Sequence, residues 1–189
     1  MRRLRGVVHF IRLAQQERDM RREEGIRPHT PDVDHFGRSN CVSLPDVVRL
    51  LSHEPARARI LKITRTPPYT GEQLASSLEA TERERDRLMA QRRHAGWHVE
   101  LRYWRLANIR RAGYFNQFIA SPWGIVYHAK YISRNGRLKY PPWFRHNVHL
   151  RMHNGNHRLL GAALVGGWDL RVEALMLSRR DTRNALFED

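Results

Sequence analysis

The chain has 189 residues, with 34 Lys and Arg against 19 Asp and Glu, a formal charge of +15. That length fits one domain with extensions, and a hydrophobic content of 41% is enough to build a core. No apolar run reaches the roughly 18 residues of a membrane-spanning helix. The single cysteine, Cys41, leaves no internal disulfide and fits a reducing compartment.

Residues 1–16 hold Arg2, Arg3, Arg5 and Arg12 and no acid, with Leu4, Val7, Val8 and Ile11 on one helical face. This is the composition of a mitochondrial targeting peptide. It equally describes a basic amphipathic helix stopped by Gly25, so residues 1–25 are read as such a helix or as an uncleaved targeting segment. Residues 26–69 form a loop-rich connector containing Pro28, Pro31 and Gly37. Within it a short helix over 44–53 is expected, capped by Ser43 and ended by Pro55. Ile60, Leu61 and Ile63 fit a strand or a helical turn, and Pro67-Pro68 is a break.

Residues 70–96 read as a long charged helix. Thr70 and Gln73 have capping-box spacing, and Gly96 sits where a terminator belongs. Glu79 and Arg83, Glu82 and Arg85, and Glu84 and Arg87 are spaced for ion pairs. The apolar stripe of Leu74, Leu78, Leu88 and Met89 is thin, which suits a helix on a surface or one bridging to a partner.

Beyond Gly96 the pattern changes to alternation. Residues 97–104, 125–132 and 144–153 each read as strands, the last in strict period two. Asn135-Gly136 and Asn154-Gly155 read as hairpin turns. In that register Arg134 opposes Arg137 and Arg151 opposes Arg158, like-charge pairs that an anion would relieve. Leu170, Ala174 and Leu177 predict a C-terminal helix over 170–187. The expected fold is α+β: a small antiparallel β-hairpin sheet over about 97–165, flanked by N-terminal, central (70–95) and C-terminal (170–187) helices.

The charge is unevenly placed. Lys62, Lys130 and Lys139 are the only lysines, which leaves 31 arginines. A GC-rich genome accounts for Arg over Lys but not for the excess of base over acid. No Asp or Glu lies between Glu100 and Asp169, and twelve of the seventeen aromatics fall between Trp97 and Phe144. Cations interleaved with rings suit RNA, because guanidinium groups neutralise phosphates while aromatic faces stack on unpaired bases. The candidate RNA-binding residues are Arg102, Arg105, Arg110, Arg111, Lys130, Arg134, Arg137, Lys139, Arg145, His149, Arg151, His153 and Arg158. Trp104, Trp123, Trp143 and Tyr140 are candidates for stacking or partner contact, and the other aromatics for the core.

Signs of catalysis are weak. His146, His149, His153 and His157 have no carboxylate near His149 to help hold a metal or act as base. Phosphate or base contacts, with one packed histidine, account for them better. His29, Asp32, Asp34, His35 and Cys41 are of zinc-ligating types but lack a second cysteine at tight spacing. P-loop, dinucleotide-binding, hydrolase, kinase and zincin signatures are absent, as are the RNP1, KH and zinc-knuckle patterns. No catalytic residue, metal, cofactor or small-molecule substrate is expected.

At the level of class the chain is similar to mitochondrial ribosomal proteins: small, very basic, Arg-rich, with an amphipathic Arg-rich start. That resemblance is compositional and transfers no site residue. It implies a non-enzymatic structural component of a mitochondrial ribosome or related ribonucleoprotein in the matrix. Its partners would be ribosomal RNA, bound by residues 101–168, and neighbouring ribosomal proteins, docked by the helices at 70–95 and 170–187. The competing reading is an accessory subunit of a respiratory or ATP-synthase complex that contacts anionic lipid or acidic subunits.

Overall fold

The computed structural model describes residues 2–25, 40–91, 96–111, 119–146 and 150–179. The chain opens with helix α1 (Arg2–Glu23), which buries Val7, Phe10, Ile11 and Ala14 at helical spacing. Val8, expected on the apolar face, points outward and is 58% exposed. Strand β1 (Val42–Ser43) runs into α2 (Leu44–Leu51), where Ser43 Oγ accepts from the Asp46 N–H.

Pro55 does not end a helix; it opens α3 (Glu54–Thr64). A proline in the first turn removes only an amide that would be unpaired anyway. The His53 side chain caps that helix by accepting from the Ala56 N–H at 3.3 Å. The ambiguous segment 56–64 is therefore helical. At its end the Arg65 N–H donates to Lys62 O and the Thr66 N–H to Leu61 O, a Schellman motif with Arg65 left-handed.

The long central helix is shorter than expected. The Thr70–Gln73 spacing caps nothing; Gln73 and Leu74 form strand β2. Helix α4 (Leu78–Ala90) starts at Ser77, whose Oγ accepts from the Ala80 N–H at 3.2 Å. Two of the three anticipated ion pairs form, Arg83 with Glu79 and Arg87 with Glu84, whereas Arg85 turns to Asp86.

Strand β3 (Trp97–Arg105) forms where the sequence alternates, but its burial does not alternate that way, since Leu101 and Tyr103 are exposed and Trp104 is buried; α5 (Leu106–Arg111) continues from it. Strand β4 (Ile119–Ala120) pairs antiparallel with β1. The next expected strand is instead helix α6 (Pro122–Asn135). Asn135-Gly136 is its C-terminus, not a hairpin turn, so Arg134 and Arg137 do not face each other across strands. The Gly136 N–H closes the last turn on Ile132 O with φ at 63°.

The ten-residue alternating run folds on itself. Its halves, β5 (Trp143–His146) and β6 (Leu150–Asn154), pair antiparallel and set Arg145 opposite Arg151. Asn154-Gly155 then leads into helix α7 (Asn156–Gly166), not into a return strand, so the Arg151–Arg158 pairing does not exist. The segment expected to be the C-terminal helix is strand β7 (Arg171–Arg179); residues 180–189 lie outside the described residues.

β7 is the centre of a five-stranded mixed sheet. β3 lies antiparallel along one edge. On the other edge β2 pairs parallel with Arg171–Val172 and β5 pairs parallel with Leu175–Ser178; β6 pairs outside β5. One face, with Trp104, Phe144, Val172, Ala174 and Met176, joins the main core around Leu159–Val165 of α7 and Val7–Ala14 of α1. The other face packs Trp97, Trp143, Leu175 and Leu177 against Leu88 of α4. Burial on both faces explains why residues 174–177 form a continuous apolar run with no alternation, and the polar Glu173 and Ser178 beside it are buried as well. The fold class is α+β, with seven helices among the described residues.

Helices α6 and α7 cross closely. A Cβ on Gly161 would stand 2.9 Å from His128 Cβ and 3.0 Å from the α6 backbone at Ala129 N and Ile125 O. Glycine is required there because no side chain fits between the two backbones.

Candidate nucleic-acid interface

Helix α6 is built to present two different faces. Ser121 caps it, with Oγ accepting from the Gly124 N–H at 3.0 Å, and Pro122 sits in the first turn. Ile125, Val126, Ala129 and Ile132 are buried. At about 100° per residue, Trp123, Tyr127, Lys130, Tyr131 and Arg134 fall together on the opposite face.

The rings on this face are stacked and faced by cations. Trp123 and Tyr127 lie 5.3 Å apart at 20°. The Arg21 guanidinium sits 4.2 Å above Trp123. The Lys139 ammonium lies within 6.0 Å of the rings of Tyr127, Tyr131 and Tyr140, and donates to Tyr127 Oη at 3.0 Å.

A buried polar network fixes α1 against the start of α6. Glu17, 3% exposed, accepts from Arg21 Nε at 3.1 Å and Nη2 at 3.0 Å, and from Ser121 Oγ at 2.5 Å. The Ser121 N–H donates to His157 Nε2 at 2.9 Å. Burial, with Arg158 and Arg21 adding positive charge, lowers the His157 pKa to about 4, so the ring is the neutral acceptor that bond needs. Arg21 thus arrives over Trp123 with its own charge already paired.

Further along α6 the charges are not paired. The Lys130 ammonium is pushed down in pKa by burial first, then by Arg134, Arg18 and Arg65. Of these cations only Arg18 has an ion pair among the described residues, with the exposed Asp19. Arg18 of α1 and Arg65 at the end of α3 are therefore near enough to Lys130 to disfavour its charge.

The other sequence-predicted residues are dispersed. Arg102 pairs with Glu100 at 2.9 Å. Arg105 faces Arg171 at the end of the β3–β7 ladder. Arg110 donates to Ser52 Oγ and lies 5.1 Å above Trp168. Arg111 and Arg137 are exposed, and Arg145 stands 4.6 Å above the buried Trp97. The backbones of Arg151 and His153 lie on β6, and His149 is outside the described residues.

Arg158 requires a correction. It is 8% exposed and its guanidinium is spent on Tyr140 O, Pro141 O and Asn154 Oδ1, at 3.0, 2.7 and 2.7 Å. It ties α7 to the approach to β5 and is closed to phosphate. Trp104 and Trp143 are likewise buried, Trp104 stacked on Phe144, and Trp123 is packed against the core beneath Arg21, which leaves Tyr140 as the exposed ring among the four candidates.

His29, Asp32, Asp34 and His35 lie outside the described residues. Cys41 is half-buried, and burial followed by the nearby Glu17 charge raises its thiol pKa. Sequence reasoning missed Arg18, Arg21 and Arg65, which lie far from the acid-free window and reach α6 only through packing. The face of α6 was missed too, because residues 125–132 read as a strand, although the signals for a helix are there. Ser121-Pro122 and Gly136 bracket a helix-length segment with rings at positions 123, 127 and 131. No protein-family model, no curated protein and no solved structure matches the chain.

Proposed function

We propose that this protein is a non-catalytic RNA-binding component of a ribonucleoprotein, of the mitochondrial ribosome class. The observation that carries the reading is the outer face of α6, where the stacked rings of Trp123 and Tyr127 share a helical face with Lys130 and Arg134, neither of which has an ion pair among the described residues. Cations held together against their own repulsion are a preorganised site for a polyanion. Phosphates would be neutralised by Lys130, Arg134 and Arg65, and unpaired bases would stack at Tyr131 and at the exposed Tyr140. Protein neighbours would dock on α4, where Leu78 is 75% exposed and Met89 50% exposed.

The test is gradient sedimentation of a gently lysed mitochondrial fraction, following the full chain with and without ribonuclease. Co-migration with ribosomal RNA, abolished by ribonuclease, is the expected result. Migration with membrane complexes that is indifferent to ribonuclease would overturn it in favour of a respiratory or ATP-synthase accessory subunit.

A further inference from the structure

A cleft of about 640 Å³ opens beside the C-terminal half of α3. Leu61, Pro67, Pro68 and Val165 give it an apolar floor. Arg57, Lys62 and Arg65 stand on its rim, and none of the three has an ion pair among the described residues. Glu54 is the one acid in the lining; it sits in the first turn of α3, about 16 Å of helix away from Arg65.

One backbone feature points to use of these cations. Arg65 holds φ at 51°, whereas every other positive-φ position among the described residues is a glycine. A glycine would close the same turn without the Cβ penalty, so an arginine there trades stability for its side chain. At Gly167 a Cβ would stand 2.4 Å from Arg57 Nη1. Gly167 needs glycine for its φ of 80° in any case, and the Arg57 guanidinium lies against it. The cleft also adjoins α6, because Ser133 Oγ donates to Pro67 O at 2.5 Å.

We propose that this cleft is a subsite for one unstacked nucleotide of single-stranded RNA, its base on Leu61, Pro67 and Pro68 and its phosphates on Arg57, Lys62 and Arg65. The inference rests on the RNA reading above and deepens it, assigning the α6 face to the path of the strand and the cleft to a splayed-out base. The volume suits one nucleotide, and an apolar floor with a cationic rim matches the two ends of that ligand.

The experiment titrates the full chain with a labelled oligouridylate of about ten nucleotides. An RNA hairpin of matched length and vesicles of phosphatidylserine and phosphatidylcholine serve as the other arms. The Arg57→Gln/Arg65→Gly variant is expected to lose about 25-fold in single-strand affinity at 0.1 M salt and little at 1 M, because two phosphate contacts carry a salt slope of about 1.4. The Arg57→Gln/Lys62→Gln variant, which leaves Arg65 and the α6 face intact, should keep its hairpin affinity while losing single-strand affinity. Arg65→Gly alone should melt at a higher temperature than the natural chain while binding the single strand more weakly. A lower melting temperature would overturn the argument from Arg65, and an unchanged single-strand affinity would overturn the subsite while leaving the RNA reading intact. Vesicle binding that depends on Arg57 and Arg65 would reassign the cleft to a lipid headgroup. Failure of the natural chain to bind either RNA would overturn the subsite and the RNA reading together.

Discussion

Replacing Glu17 by Leu isolates the network that holds α1 on α6. The side chains of Arg21 and Glu17 are only 7% and 4% exposed, and the carboxylate takes two bonds from Arg21 and one from Ser121. Charge-assisted bonds taken singly, at about 1.5–3 kcal/mol each, sum to more than any one substitution costs, because the three share one acceptor group. The better guide is the penalty for breaking a buried pair, about 3–5 kcal/mol, which arises mostly from the guanidinium left uncompensated. An exposed pair at the same spacing would cost about 0–1 kcal/mol, so burial decides the size of the effect. For a chain of this length each kcal/mol moves the melting temperature by about 2–4 °C. Glu17→Leu is therefore expected to lower it by about 6–20 °C. The assay is thermal unfolding followed by circular dichroism at about 0.5 M salt; this suppresses self-repulsion of the +15 chain and screens a buried pair little. The double variant Glu17→Leu/Arg21→Met should recover most of the loss, since an apolar pair of similar volume carries no stranded charge. A loss under about 2 °C for Glu17→Leu, or a double variant no better than the single, would refute the reasoning.

His157 makes stability depend on pH. Its folded pKa of about 4 lies below the unfolded value of 6.5, so its contribution is complete above pH 6.5 and is lost as pH falls towards 4. The loss is about 3 kcal/mol at most; melting curves at pH 7 and 4.5 measure it, and a ring titrating near 6.5 by NMR would contradict it. Gly161→Ala should destabilise by about 1–2 kcal/mol, since overpacking against the α6 backbone outweighs the helix-propensity gain of up to about 1 kcal/mol; urea denaturation gives the sign. Arg158→Lys should cost about 2–4 kcal/mol in the same assay, because one ammonium cannot serve three acceptors arranged around a planar fork. Lys130→Glu/Arg134→Glu should lower affinity for both single-stranded and hairpin RNA and flatten the salt dependence; an unchanged slope in filter binding would remove α6 from the interface.

Local signals in the sequence placed several elements, although the Thr70–Gln73 cap spacing and the two Asn-Gly pairs, equally local, misled. α1 follows the spacing of its apolar residues, α2 follows Ser43, and β3 lies where the sequence alternates. Where two periods coexist, packing decided. Ile125, Val126, Ala129 and Ile132 suit a helix, yet Ile125, Tyr127, Ala129 and Tyr131 also alternate; the Ser121 cap, the Gly136 stop and burial against α7 select the helix. Leu170, Ala174 and Leu177 have helical spacing, but a strand buried on both faces shows no alternation to betray it, and β7 became the centre of the sheet. The net charge and the acid-free window belong to the sequence by itself, because composition does not depend on folding. Which cations converge does depend on it. Arg158, inside the window, is consumed by backbone carbonyls, while Arg18 and Arg65, outside it, reach Lys130 because α1, α3 and α6 pack together. Charge is counted along the chain, but an electrostatic site depends on distances that only long-range packing sets.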